Sequence, residues 1–322
     1  MMILHAIAAG AALVLGVAAT ACAADFPQKP IRMVVSYPAG GSTDMIARLY
    51  AEKLGQELKQ SVVVDNRPGA ATNIGADAVA KARPDGYTVL FGGGTPSVNS
   101  IFGPQPPFDP VKSFEPVSMI ARVPFLVAAH AKAPFSNVQE MLAKSKQSPG
   151  KYTVSSAQLH LYVEMLKSRA AAPFMHVPYK GGAQATTDAI GGQVDAVFAL
   201  VPVLLPHIQS GHLKALGISS RQRIAALPSV PTFEESGVRY DIGIWFGLLA
   251  PAATPEPIVR QLAEATQRIV AQEDFSRKLE QIGAQATATT PAALRTFMEE
   301  EVQTWKGLAK SMPELQKAVE LR

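Results

Sequence analysis

Apolar residues along the chain alternate between short runs rich in Val and Ile and longer stretches with helical spacing. After Asp25 this alternation predicts a β-α-β-α-β succession. Short buried strands joined by crossover helices form parallel sheets covered on both faces, so the pattern predicts the first lobe of an α/β protein. We expect its strands at 31–37, 62–64 and 87–91, and its helices at 43–58 and 73–82.

A second alternating set follows a Pro- and Gly-rich break at 95–110. Two apolar runs separated by Pro124 come first, and we expect the chain to cross to a second lobe there. Ser136 and Gln139 form a capping box that starts the first helix of this lobe. The other expected elements are strands at 152–154, 175–177, 194–200 and 213–218, and helices at 160–169 and 183–190.

The end of the chain is helical after a strand at 242–250. Thr254-Pro255 and Thr290-Pro291 each combine an N-cap residue with proline at the first helical position. Two or three closing helices that pack on the first lobe make that lobe discontinuous, and the two crossovers form a hinge. We therefore predict a signal peptide at 1–24, lobe 1 at 25–124 and 233–322, and lobe 2 at 125–232.

Composition and charge narrow the function classes. The 322 residues are 48% apolar and 17% charged, which is typical of a compact globular protein. The net charge is +4, but Lys and Arg are spread along the chain and do not cluster with aromatic residues. We therefore expect no nucleic-acid partner, while the mild positive charge would help to attract an anionic solute.

The first 24 residues resemble a secretory signal, because they are apolar from Ile3 to Ala19 and end in small residues. Cleavage of this segment before Asp25 would place the mature protein in the periplasm. The basic start of a usual signal is missing, so the true start codon can lie elsewhere, and a membrane anchor or a lipidated Cys22 are the alternatives. Cys22 is the only cysteine, so a chain cleaved before Asp25 has neither a disulfide nor a thiolate site.

Two loops that follow predicted first-lobe strands carry the candidate binding chemistry. The first runs from Tyr37 to Asp44 and combines two glycines with two hydroxyls at a helix start; the second runs from Gly92 to Asn99. Ligands of parallel α/β sheets bind at the carboxyl ends of strands, so we expect an anion site there. An ordinary strand-to-helix turn with Ser42 or Thr43 as the N-cap is the alternative for the first loop, and we expect Asp44 to be a helix-start charge. The first-lobe candidates are Tyr37, Ala39, Gly40, Gly41, Ser42, Thr43, Thr95 and Asn99.

The chain lacks the common signatures of cofactor binding and catalysis. Neither loop has the glycine spacing of dinucleotide sites, and there is no zinc-protease His pair, nucleophile elbow or phosphate loop. The six histidines are scattered, with His207 and His212 near a helix end and His176 in a strand. We therefore expect no catalytic residues, no metal site and no cofactor.

Five stretches together resemble the Bug-type extracytoplasmic receptors of tripartite tricarboxylate transporters. The resemblance covers nearly the whole chain after Asp25 and implies the type II periplasmic-binding-protein fold, with two lobes, a ligand cleft and a two-crossover hinge. It also implies a monomeric receptor, not an enzyme, that holds a small carboxylate and works with membrane subunits of the transporter. The stretches are YPAGGSTDMIAR, DNRPGAATNIGADAVAKARPDGYTVL, FDPVKSFEPVSMIARVP, HVPYKGGAQATTDAIGGQVDAVF and WFGLLAPAATP.

The second lobe departs from the family pattern in two places. Ser155 and Ser156 are separated from His160 by only three residues, where the family has a longer Gly- and Thr-rich loop, and these three residues are the second-lobe candidates. Ala199-Leu200 stands where the family tends to have Asp-Asn. These changes indicate a bulkier, more apolar or singly charged ligand, or a loss of the transport role. An exported sensor subunit and an enzyme on the same scaffold stay open as alternatives.

Overall fold

The computed structural model describes residues 26–157, 159–179 and 181–313. The predicted signal peptide and its cleavage site before Asp25 lie outside these residues. The described strands are β1 Ile31–Val35, β2 Val62–Asn66, β3 Thr88–Gly92, β4 Phe114–His130, β5 Thr153–Ala157, β6 Met175–Tyr179, β7 Ala196–Leu200, β8 Leu213–Ile218, β9 Gly243–Pro251 and β10 Gln285–Ala286. The described helices are α1 Ser42–Leu58, α2 Asn73–Ala80, α3 Thr95–Phe102, α4 Val138–Gln147, α5 His160–Ala170, α6 Gly182–Ile190, α7 Val201–Gln209, α8 Glu256–Val270, α9 Glu273–Gln281 and α10 Pro291–Ser311.

The predicted β-α-β-α-β succession forms a parallel sheet in the order β2-β1-β3. Strand β9 pairs antiparallel with both β3 and β4. Across the sheet, the strand order continues from β4 through β7 and β5 to β6. The second alternating set is also parallel, with β5 between β6 and β7. The α/β class expected from the alternation is therefore confirmed.

Strand β4 joins the two parts of the sheet. Its residues up to Pro124 pair with β9, whereas Phe125 and the residues after it pair with β7 and β8. The chain crosses back through residues 219–242, and at this second crossing the amide of Ser219 donates to the Phe125 carbonyl at 2.9 Å. The lobe boundaries stay a prediction, which the change of strand partners along β4 supports.

The closing helices cover the first part of the sheet. Leu262 and Ile269 of α8 and Phe275 of α9 are buried in the same apolar core as Ile31 of β1. Tyr50 of α1 is fully buried here, and its hydroxyl lies 2.6 Å from the Thr266 hydroxyl. These contacts explain why the chain returns to its first core after the second crossing.

Several predicted elements differ from the observed ones because of proline. The break expected from 95 contains α3, in which Pro96 occupies the first turn where no amide donor is needed. Helix α7 was not predicted, since Pro206 lies inside it. Strand β4 continues through Pro124, although two separate runs were expected.

Two predicted helix caps are also wrong. Helix α4 is capped by Asn137, whose side-chain oxygen accepts from the Glu140 amide at 2.8 Å, and not by Ser136. The Thr254 hydroxyl donates to the Pro251 carbonyl at 2.7 Å, so it does not cap α8. The predicted cap at Thr290 is confirmed by its bond with the Ala293 amide, at 3.2 Å.

Candidate functional site

Three loops meet at the carboxyl ends of β1, β2 and β3, since these strands are parallel neighbours. The Tyr37 hydroxyl in the first loop lies 2.9 Å from the Thr95 hydroxyl at the start of α3. The side-chain amide of Asn66, at the end of β2, donates to the Tyr37 carbonyl at 3.1 Å. The structure thus brings together the two loops that the sequence analysis selected and joins them to the end of β2.

The turn at Gly40 and Gly41 is open on its outer side. Gly40 has a φ of +82°, which glycine adopts without strain, and a Cβ atom there would meet nothing within 4 Å. A Cβ atom at Gly41 would meet only the Pro38 carbonyl oxygen, at 3.8 Å. Gly41 precedes α1 and makes no side-chain cap, and both glycines and Ala39 are exposed. No side chain of the turn therefore covers the outer side of the start of α1, where the first amides of a helix have no partner within the helix.

Asp44 braces this turn from inside, a role beyond that of a helix-start charge. Its carboxylate accepts hydrogen bonds from the Gly40 amide, the Asn66 side chain and Arg48, each at 2.9 Å. Burial alone would raise the pKa of Asp44, but the bonds from Arg48, Gly40 and Asn66 outweigh burial and lower the pKa. The turn is therefore held in one shape before any ligand arrives. Thr43 next to it is buried, and the structure describes only the backbone of Ser42.

The glycines of the second loop are explained by packing inside the protein. A Cβ atom at Gly93 would lie 1.9 Å from the Trp245 carbonyl oxygen, and one at Gly94 would lie 2.4 Å from the Glu301 carboxylate. These distances are too short for any side chain. Close packing against the Trp245 backbone therefore accounts for Gly93 without a ligand, while the absence of a side chain at Gly94 leaves room for the Glu301 carboxylate.

Three predicted site residues use their polar groups within the protein. The side-chain amide of the buried Asn99 donates to the Ala71 carbonyl at 2.6 Å, and so holds the loop that follows β2. The Ser155 hydroxyl is fully buried and donates to the Ala185 carbonyl at 3.1 Å. The Ser156 hydroxyl is 2.8 Å from Nε2 of His176. All three polar groups therefore have hydrogen-bond partners within the protein.

The loop after β2 was missed by the sequence analysis. Ala70, Ala71 and Thr72 have φ values of 45°, 50° and 78°, a left-handed backbone that is costly for residues with a Cβ atom. The hydroxyls of Thr72 and Ser36 are buried and make no hydrogen bond among the described residues. Strain and unpaired hydroxyls at the strand ends are typical of a binding site. Only Gly69 in the sequence signals an unusual turn here.

Glu301 of α10 was also missed, because it is distant in sequence from the loop that it supports. Its Oε1 accepts from the Trp245 indole at 2.9 Å, while the buried Oε2 makes no hydrogen bond among the described residues. Burial raises the pKa of Glu301 to about 7, against the opposing effects of the Trp245 bond and the Arg122 charge. A group that ionises near neutral pH therefore lies directly under Gly94.

The second part of the molecule contributes an apolar wall and the start of α5. Leu200 is partly buried and packs against core residues of both parts of the protein. His160 begins α5, and its ring lies 4.5 Å from the His176 ring. Tyr162, two residues further along α5, packs edge-on against Trp305 of α10, with ring centroids 5.7 Å apart. The contact between Tyr162 and Trp305 places α5 beside the first-lobe helices.

A separate surface pocket of about 210 Å³ lies at the crossing between the two parts. Its lining includes Arg122, Arg221 and Asp241 and none of the strand-end loop residues. Arg221 and Asp241 are already paired at 2.6 Å. We therefore place the candidate ligand site at the strand-end loops and not in this pocket.

The fold places open loops at the ends of parallel strands, and two crossings connect this part of the sheet to the second part. This is the fold of a periplasmic solute-binding receptor. The chain belongs to the tripartite tricarboxylate transporter family receptors, whose family model matches residues 46–313. Solute-binding receptors are not a class of enzyme. Within the described part of the chain, every helix is too short or too polar to cross a membrane.

Similar proteins agree with this family. The chain is 36% identical to protein BugT of Bordetella pertussis over 92% of its own length and 93% of that protein. It resembles the structure of the periplasmic binding protein BugD with a TM-score of 0.76 and 34% identity, covering 89% of this chain and 98% of that one.

Two similar structures contain carboxylates. An R. palustris protein with adipate has a TM-score of 0.79 and 32% identity, covering 89% of this chain and 98% of that one. MatC from Rhodopseudomonas palustris with bound malate has a TM-score of 0.74 and 29% identity, covering 91% of this chain and 100% of that one.

Proposed function

We propose that this protein is an exported receptor that captures a small carboxylate and delivers it to the membrane subunits of a tripartite tricarboxylate-type transporter. The observation that carries the proposal is the open Gly40-Gly41 turn at the start of α1, braced by Asp44. Free amides at a helix N-terminus attract anions through the helix dipole and through charge-assisted hydrogen bonds. The adipate and malate in two similar structures support the carboxylate class.

The ligand that fits this cleft carries an apolar segment beside its carboxylate. Leu200 presents an apolar side chain where other family members tend to have an amide, and it contacts the cores on both sides. Ala199 points to the opposite face of β7 and is buried in a separate core of the second part. A second highly charged group would lose its hydration against Leu200 without gaining a partner. Linear or aromatic carboxylates with a hydrocarbon body therefore suit the site better than citrate-like ligands.

Export by a cleaved signal is part of the proposal. The apolar start of the sequence and the small residues before Asp25 support cleavage at that position. Mass spectrometry of the mature protein would give a chain beginning at Asp25. An intact Met1 or a lipid on Cys22 would contradict this processing.

A thermal-shift screen of the cleaved protein tests the ligand class. The panel holds aliphatic and aromatic mono- and dicarboxylates, citrate, and the uncharged amide of each acid. A true ligand at 100 times its dissociation constant stabilises the protein by about 2.7 kcal/mol. Stabilisation by carboxylates with apolar bodies, and not by their amides, supports the proposal. A screen in which amides stabilise the protein and no acid does would contradict it.

A further inference from the structure

Two histidines and a glutamate come together between α5 and β6. His160 and Glu164 are four residues apart on α5, which places them on one face of the helix, and His176 lies in the adjacent strand β6. Each side chain offers one nitrogen or oxygen atom, and these three atoms all lie within 4.8 Å of one another. The fold thus closes a cluster that the sequence, with its scattered histidines, did not predict.

The buried histidine of this cluster has one ring nitrogen beside Ser156 and the other facing Glu164. The His176 side chain is 2% exposed, and its Nε2 lies 2.8 Å from the Ser156 hydroxyl. Its Nδ1 is buried and makes no hydrogen bond among the described residues, because the nearest Glu164 oxygen is 3.5 Å away. When Nε2–H donates to Ser156, Nδ1 carries the free lone pair of a neutral imidazole.

We propose that His160, Glu164 and His176 bind a divalent transition-metal ion, with Zn²⁺ as the best match. Imidazole nitrogens and one carboxylate oxygen are ordinary zinc ligands, with bonds of about 2.0 to 2.2 Å. Two ligand atoms on one edge of such a tetrahedron lie roughly 3.3 Å apart, close to the 3.5 Å between Nδ1 of His176 and Oε1 of Glu164. Three protein ligands leave a fourth position for water or another ligand.

Ser156 and Lys167 surround the cluster with opposite effects on metal affinity. The Ser156 hydroxyl fixes the ring of His176, as groups behind metal ligands commonly do. Lys167 lies 2.9 Å from Oε2 of Glu164, so its charge competes with a cation for the same carboxylate. Removal of the Lys167 charge should therefore strengthen metal binding, a result that an ordinary ion-pair network would not give.

Calorimetric titration of the tag-free, chelator-treated protein with zinc chloride tests the proposal. We expect one Zn²⁺ per chain, and at least about tenfold weaker binding in Glu164→Gln and His176→Gln, which each lose a ligand. Lys167→Gln should bind Zn²⁺ several-fold more tightly. His212→Gln, which alters an exposed histidine outside the cluster, should bind like the wild type.

Glu164→Gln keeps the size of the side chain, which is 20% exposed, so this variant should fold. It therefore still tests the proposal if His176→Gln does not fold. Thermal melting in chelator identifies the variants that are folded before titration. Absence of zinc binding in the wild type, unchanged affinity in folded Glu164→Gln, or an equal loss in His212→Gln would overturn the proposal. None of these results depends on the carboxylate ligand.

Discussion

Gly41 is the residue at which the ligand proposal can be tested with the least disturbance of the fold. Its φ of −82° is open to any residue, and an added Cβ atom meets only an oxygen at 3.8 Å. Gly41→Val should therefore fold, while its branched side chain blocks approach to the amides of α1. Loss of one charge-assisted hydrogen bond costs about 1.5 to 3 kcal/mol, so affinity should fall about 10- to 150-fold in calorimetry.

Gly307→Val is the matched control for this variant. Gly307 lies on the exposed face of α10, and a Cβ atom there meets nothing within 4 Å. This change should leave ligand affinity as it is in the wild type. Unchanged affinity in Gly41→Val would place the anion elsewhere.

Glu301 should make stability depend on pH in the neutral range. Its pKa is raised to about 7 by burial, so the folded protein holds a proton that the unfolded chain loses near pH 4.5. The stabilisation is complete below about pH 4.5 and is lost as the pH rises to about 7, with a magnitude on the order of 3 kcal/mol.

Glu301→Gln should remove this pH dependence while keeping the acceptor for the Trp245 indole. Urea unfolding between pH 4.5 and 8 measures the difference between the two proteins. If the free energy of unfolding changes with pH in the same way in the wild type and the variant, Glu301 does not ionise in this range.

Residue roles at the site could be predicted from the sequence only in part. Tyr37 and Thr95 were selected because they follow strands, and the fold brings their hydroxyls together. Asn99 and Ser155 were selected for the same reason, yet their side chains bond to carbonyls from distant segments. Glu301 carries no local signal, since its burial arises only when α10 packs beneath the Gly94 loop.

At the scale of elements, the loop between β3 and α3 depends on Gly93. A Cβ atom there would lie 1.9 Å from the backbone carbonyl of Trp245 in β9, which cannot move without disturbing the sheet. Gly93→Ala should therefore lower the free energy of unfolding by about 2 kcal/mol or more, as overpacking in a rigid core does. Gly307→Ala, in open space on a helix, should not destabilise the protein. Equal urea midpoints for the two variants would contradict this account of the loop.

The alternation of elements was predictable because strand and helix periods are local properties of the sequence. The expected helices at 43–58 and 160–169 match α1 and α5 within one residue, and β8 matches the expected range. The helices and strands that were missed or divided involve proline, whose effect depends on which backbone amide is dispensable. The α4 cap failed for another reason, since Asn137 caps the helix in place of the adjacent Ser136. Pro96 lies in a first turn and Pro124 lies where β4 changes partners, and neither context is visible in the local pattern.

At the scale of the whole molecule, the shared strand β4 and the return crossing at 219–242 connect the two parts of the sheet. Two connections of this kind allow one part to rotate against the other around a ligand. Closure of the lobes over the solute stays a prediction. The first-lobe loops should provide most of the binding free energy, because the polar groups of Ser155 and Ser156 are occupied within the protein.

The most direct test of the central claim is calorimetry of the wild-type protein with the best carboxylate from the screen and with the corresponding amide. The two ligands share a shape and differ in charge, so the comparison isolates recognition of the anion at the start of α1. We predict tight one-to-one binding of the acid and an affinity for the amide at least about 100-fold weaker, equivalent to roughly 2.7 kcal/mol. Equal affinity for the acid and the amide would contradict a carboxylate receptor.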